Sequence, residues 1–451
     1  MHHFAYNLFL HTIAAPLMGL YYLPRLVAGR KYRRSLAGKF GRLPLDFLSD
    51  GLPRPLLWFH AVSVGEVTAL TPLVAAVHRC EPAAGVVVST GTETGQDRAR
   101  TLLTSAHGFF YLPLDFPAFV NPVVQRIRPD LFVLMETELW PNLLYHVKRC
   151  GAVIALANGR ISDRSFPRYM RLRWLFQPVL SHLDLLLMSS EVDARRIVDM
   201  GAHPARVHVT GSTKFDIIPD TASLRDTERI RSLLQLEGCQ NILVAGSIHP
   251  GEYEMLLDAY GQLAPNFPDL ILILVPRHVE RTPAILTAIR TRGLPDPYLW
   301  SAATRGEKRN DRRIVVVDTT GELFHVYSLA SLVFVGGSLV PKGGQNIVEP
   351  AAWGKPVLFG PSMEDFREAR DILVRCGAGR EVRNPAELVA TLHELLSYPD
   401  RTASIGAAGR QALLQHTGSA ERNAMMLLSA LRAARAREHT KSDLSPAISG
   451  I

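Results

Sequence analysis

The feature that most constrains this chain is a rhythm. Short, continuously apolar runs, most of them followed by a helical stretch, appear in series, stop, and start again. The first series comprises residues 56–59, 85–89, 131–135, 153–157, 185–189 and 207–210. Runs that are apolar throughout, rather than alternating, belong to strands buried on both faces, as in a parallel sheet covered by helices. A polar stretch over 217–231, with Pro219, Asp220, Thr221 and Ser223, reads as a linker leading into a helix. The rhythm resumes at 242–245, 270–275, 314–317, 332–335 and 356–359.

A length of 451 residues exceeds one ordinary core. The expected architecture is therefore α/β, with two tandem Rossmann-like domains, at 44–217 and 218–437, whose C-terminal strand ends face a cleft. The charged, then Ser/Pro-rich tail at 438–451 is expected to be disordered.

The first 43 residues differ in kind. Residues 4–28 are mostly apolar and carry no acid, and a basic run follows: Arg30, Lys31, Arg33, Arg34, Lys39 and Arg42. The stretch is close to the ~20 residues a spanning helix needs. Pro16, Pro24 and His11 fit equally well a helix lying in the membrane interface. Either way it is a membrane-anchoring helix. The charge on its C-terminal side puts the rest of the chain on the cytoplasmic face, beside anionic lipid.

Lys and Arg number 50 against 42 acids, a net charge of +8. Such a surplus calls for an anionic partner. No nucleic-acid-binding signature accompanies it, so no nucleic acid is expected; a phosphorylated substrate and an acidic membrane are. The four cysteines, Cys80, Cys150, Cys239 and Cys376, are scattered. They imply neither a zinc site nor a disulfide framework.

Chemistry in such folds gathers at strand ends. In the first half, His60-Ala61-Val62-Ser63-Val64-Gly65-Glu66 turns from a strand into a helix. Alone, Glu66 is an acid suited to a helix dipole; at a strand end it can also take a proton from an incoming hydroxyl. Glu136-Thr137-Glu138-Leu139-Trp140-Pro141-Asn142 sets two acids at another strand end, where their charges repel unless solvated or paired with a cation. Asn158-Gly159-Arg160-Ile161-Ser162 is followed by Arg164, Arg168, Arg171 and Arg173, which read equally as an exposed basic helix or as a patch for phosphate or acidic lipid. Thr210-Gly211-Ser212-Thr213-Lys214-Phe215-Asp216 offers a lysine at a fourth strand end.

The second half carries small-residue turns: Gly246 to Glu252, Val275-Pro276-Arg277-His278, Thr319-Thr320-Gly321-Glu322, and the run from Gly336 through Gly343-Gly344-Gln345-Asn346-Ile347-Val348-Glu349-Pro350. Glycines let a phosphate approach the backbone, and a Glu one turn into the following helix can accept from ribose hydroxyls. Neither a Walker loop nor a dinucleotide fingerprint occurs. A nucleoside-phosphate site in one domain and acids in the other is the division of labour of GT-B glycosyltransferases.

Taken together and in order, six of these segments resemble the 3-deoxy-D-manno-octulosonic acid (Kdo) transferases of lipopolysaccharide assembly: His60 to Glu66, Glu136 to Asn142, Asn158 to Ser162, Thr210 to Asp216, Pro276 to His278 and Gly343 to Pro350. The likeness runs from the N-terminal anchor to about Gly418. It implies transfer of Kdo from CMP-Kdo to a hydroxyl of the tetraacylated lipid A precursor, at the cytoplasmic face of the inner membrane. By resemblance, Glu66 is the proton acceptor, and Glu136 and Lys214 stabilise the transition state. Pro276, Arg277, Thr320, Gly321, Glu322, Asn346, Ile347, Val348 and Glu349 hold CMP, with Glu349 on the ribose. Thr320 stands where the family usually has Met. No D-x-D-like motif lies at a strand end, so metal-independent, inverting transfer without a cofactor is expected. The rival readings are a transferase or epimerase using a UDP-sugar, and a tethered nucleotide-binding adaptor without chemistry.

Overall fold

The computed structural model describes residues 6–8, 10–16, 33–44, 51–216 and 221–443. It divides into two units. The first is Met1–Asp216 together with Thr417–Ile451, and the second is Ile217–His416.

In the first unit, seven strands form one sheet: β1 (Leu56–Ala61), β2 (Gly85–Thr90), β3 (Gly108–Tyr111), β4 (Leu131–Met135), β5 (Val153–Gly159), β6 (Leu185–Met188) and β7 (Val207–Val209). Their order is β3-β2-β1-β4-β5-β6-β7, and every pairing is parallel. The alternation along β1 shows why the apolar runs are continuous. Leu56 and Trp58 enter one core with Val87 and Phe132, while Leu57 and Phe59 enter the opposite core with Val86 and Val88. Both faces are roofed by helices, so the strand is apolar except where a polar side chain finds a buried partner, as His60 does in Ser89.

The second unit repeats the plan with β8 (Ile242–Ile248), β9 (Ile271–Pro276), β10 (Tyr298–Leu299), β11 (Ile314–Val316), β12 (Leu332–Val335), β13 (Val357–Phe359) and β14 (Gly379–Glu381). The order is β10-β11-β9-β8-β12-β13-β14, again all parallel. In each sheet the winding changes side at the centre, between β1 and β4 in the first and between β8 and β12 in the second. Crevices outside the strand ends at such reversals are where open α/β sheets bind ligands.

Two expectations about the C-terminus are corrected. The second unit ends at His416, not at residue 437. The Ser419–Asp443 helix returns to the first unit. Its stripe of Ala420, Ala424, Leu427, Leu428 and Leu431 completes the core containing Leu70, Leu73 and Val77 of the Val64–Cys80 helix. Three buried leucines alone contribute roughly 5–9 kcal/mol of burial free energy. That helix runs through residues 438–443 of the segment expected to be disordered; 444–451 lie outside the described residues.

At the other terminus, most of the apolar stretch 4–28, with Arg30 and Lys31, also lies outside the described residues. Among the described residues no helix is long and apolar enough to cross a membrane.

Candidate active site

β1 ends at Ala61, and Ser63 caps the next helix by accepting from the Glu66 N–H at 3.4 Å. The Glu66 carboxylate folds back: it accepts from the Val62 N–H at 2.8 Å and from the Ser63 hydroxyl at 2.9 Å. This reciprocal cap fixes the side chain at the sheet's reversal and leaves it 7% exposed. Burial, with the Glu136 charge adding to it, pushes the Glu66 carboxyl up to about 7. Glu66 thus keeps lone pairs for a substrate proton and an affinity matched to neutral pH.

His60, in the same segment, is a core residue. Its Nδ1 lies 2.9 Å from the Ser89 hydroxyl, and complete burial lowers its pKa to about 4. It stays neutral inside the sheet.

Across the reversal, β4 ends at Met135, and Glu136 takes a left-handed φ of 55°. A non-glycine residue there is strained by roughly 1–2 kcal/mol. Such strain gathers at functional sites, where the surroundings hold it. Here the hold is the Lys214 ammonium, 2.7 Å from the Glu136 carboxylate. Both side chains are partly buried. Asn158 at the end of β5, also left-handed at 53°, accepts from the Thr213 N–H at 3.1 Å. The ends of β4 and β5 are thereby both tied to the Thr213–Asp216 turn. That turn is held from its other end too: Asp216 accepts from the Gly418 and Ala420 N–H groups, each at 2.6 Å, at the start of the returning helix. Glu138, also pushed up by burial, accepts from the Trp140 indole at 3.0 Å. Arg164, Arg168, Arg171 and Arg173 are all exposed.

In the second unit the expected nucleotide residues fall at C-terminal strand ends. Pro276 is buried at the end of β9, and Arg277 is exposed just beyond it. Thr320 and Gly321 lie in the open loop after β11; Gly321 sits at φ 100° with space where a side chain would go, so the backbone conformation alone requires glycine. Glu322 meets Arg229 at 3.5 Å, a structural partner that the sequence did not disclose.

After β12, Gly343 and Gly344 both take positive φ, 83° and 80°. Asn346 then caps the Val348 N–H at 3.0 Å and donates to the Glu349 carboxylate at 3.1 Å. Ile347 and Val348 are buried, leaving only their backbone for a ligand. The helix that follows, Val348–Ala352, is one turn long, so its dipole is small.

One organising residue escaped the sequence reading. Glu252, fully buried, accepts from the N–H groups of His249, Gly337, Ser338 and Leu339 at 2.8–3.0 Å. It stitches the loop after β8 to the loop after β12 across the reversal. The Gly-Glu helix start was visible in sequence; its partners 85–87 residues away were not.

Two parallel α/β units, each winding outward from a central reversal, resemble the architecture of GT-B glycosyltransferases. A solved UDP-GlcNAc 2-epimerase from Neisseria meningitidis shares this fold, with a TM-score of 0.56 over 84% of this chain and 99% of that one, at 11% identity. The family model described as "3-Deoxy-D-manno-octulosonic-acid transferase (kdotransferase)" matches residues 34–217. The Haemophilus influenzae 3-deoxy-D-manno-octulosonic acid transferase is 31% identical over 399 residues, covering 88% of this chain and 91% of that protein. Its counterpart from Chlamydophila psittaci is 32% identical over 411 residues, covering 90% and 91%. The chain belongs to the 3-deoxy-D-manno-octulosonic acid transferase family.

Proposed function

We propose that this protein transfers Kdo from CMP-Kdo to a hydroxyl of the tetraacylated lipid A precursor, with inversion and with Glu66 as general base, in lipopolysaccharide biosynthesis. The observation that carries this reading is the Glu66 carboxylate, clamped by Val62 and Ser63, buried, and raised to about 7. A hydroxyl is a weak nucleophile, and a positioned base contributes typically ~10²–10⁴-fold. As the acceptor oxygen attacks opposite the departing CMP, its proton passes to Glu66. The Lys214 ammonium, oriented by Glu136, stabilises negative charge in the transition state.

The leaving CMP phosphate gains charge as the bond breaks. Arg277 and the backbone of the Gly343–Gly344 loop are the groups of the second unit suited to meet it. Glu349, with its carboxylate oriented by Asn346, accepts from the ribose hydroxyls. Pro276, Thr320, Gly321, Glu322, Ile347 and Val348 complete the CMP site, the last two through backbone alone. With Lys214 and Arg277 as the cations, transfer proceeds without a metal or cofactor and persists in a chelator.

The work is done at the cytoplasmic face of the inner membrane, against anionic lipid. Supporting this, Arg168, Arg171 and Arg173 are exposed beside Leu172 and Trp174, which are 43% and 52% exposed. Arginines flanking exposed apolar groups suit an acidic lipid surface. The donor assignment is tested by calorimetry: CMP binds and UDP does not, and tighter binding of UDP sinks it.

A further inference from the structure

The N-terminal segment makes contacts far along the chain. Its first described residues are built into the first unit. The Tyr6 hydroxyl donates to Asp115 Oδ2 at 2.9 Å, across 109 residues. The Asn7 amide pairs reciprocally with the Asn142 amide, Nδ2 to Oδ1 at 3.0 Å one way and 2.9 Å the other. Leu10 is buried, and the His11 ring meets Phe116 edge-on at 5.2 Å. Leu8, on the other side, is exposed.

What these residues grip is the helix start six residues after Glu136. Trp140 leads into the Pro141–Arg149 helix without capping it by its side chain. Asp115 supplies the missing cap from a distance, accepting from the Asn142 N–H at 3.0 Å and the Leu143 N–H at 2.8 Å. The Asn142 amide also donates to the Asp115 carbonyl. Asn142 and Asp115 are both buried, and burial holds the Asp115 carboxyl up near 6 in spite of these donors. The strained Glu136 backbone therefore runs, within six residues, into a helix start fixed by Asp115, Tyr6 and Asn7. Strain of that kind persists only where neighbouring contacts over-determine it.

We infer that Tyr6, Asn7 and Asp115 are positioning residues for transfer: residues 6–11 act as a strut that sets the Glu136 turn relative to Glu66. The inference rests on the roles proposed above for Glu66 and Glu136. Its rival is that the segment serves only to keep the enzyme at the membrane, where proximity raises effective concentration.

The two are separated with the full-length protein, comparing acceptor dispersed in detergent with acceptor in lipid vesicles. The variants are Tyr6→Phe, which keeps the ring, Asn7→Ala, and the two combined. A strut predicts that kcat falls about tenfold to a hundredfold in detergent as in vesicles. The KM for CMP-Kdo stays as in wild type, and the pH midpoint of turnover shifts, because the Glu136 charge no longer stands where it did beside Glu66. A loss confined to vesicles, or wild-type kcat and pH midpoint in detergent, overturns the inference. Glu136→Gln is run in parallel. If it turns over like wild type, the proposed role of Glu136 falls and takes the strut with it; if it loses kcat while the Tyr6 and Asn7 variants keep theirs, the strut alone is overturned.

Discussion

The Lys214 ammonium lies 2.7 Å from the Glu136 carboxylate, joining the end of β4 to the loop after β7 across 78 residues of chain. Its consequence reaches Glu66, which feels the Glu136 charge. Lys214→Met removes the compensating cation and leaves Glu136 bare. We expect kcat to fall by about 10²–10³, the usual loss on removing one stabilising donor. The pH midpoint of the remaining activity should move up. Glu136→Gln should move it down. Unchanged midpoints in both would separate the pair from Glu66.

The role proposed for Glu66 sets an expected wild-type pH dependence. Only the ionised carboxylate accepts a proton, so turnover should rise with pH through about 7 and fall below it. The same shift has a sign for stability. The folded carboxyl is raised above its unfolded value, so the native state binds the extra proton and stability falls as pH rises through about 7. Glu66→Gln should therefore raise the melting temperature at pH 8, by about 1–3 kcal/mol of stability, and leave it nearly unchanged at pH 4. A destabilised Glu66→Gln at pH 8 would contradict the assignment of burial as the cause.

In the second unit, Glu252→Ala orphans four backbone N–H groups at once. Unsatisfied buried groups cost about 1–3 kcal/mol each, partly relieved by water, so a loss of about 3–5 kcal/mol is expected. Because Glu252 holds the loops after β8 and β12, CMP binding measured by calorimetry should weaken more than tenfold even in the folded fraction.

How the chain divides was only partly legible. The buried strands declared themselves because a sheet covered on both faces selects mostly apolar side chains. The three strands that the sequence reading passed over, β3, β10 and β14, are short strands at the sheet edges, and Gly379-Arg380-Glu381 has no apolar run to see. The site acids were visible as strand-end residues. That Lys214 reaches Glu136, or that Asp115 caps the Pro141–Arg149 helix, is a relation between distant segments that no local pattern encodes. The same holds for the Ser419–Asp443 helix, whose apolar stripe is plain but whose destination is not.

That destination is testable. A chain ending at His416 strips Ala420, Leu427, Leu428 and Leu431 from the first unit's core and leaves Asp216 without the helix start it caps. We expect limited proteolysis of the truncated protein to degrade the first unit while the 217–416 unit survives. Loss of the second unit instead would reverse the assignment of this helix.

The most direct measurement is mass spectrometry of the lipid product after incubation with CMP-Kdo and the tetraacylated lipid A precursor, for wild type and Glu66→Gln side by side. A Kdo-extended lipid is expected with wild type, and at least ~10²-fold less with a Glu66→Gln protein that still binds CMP. Near wild-type product from Glu66→Gln would contradict it.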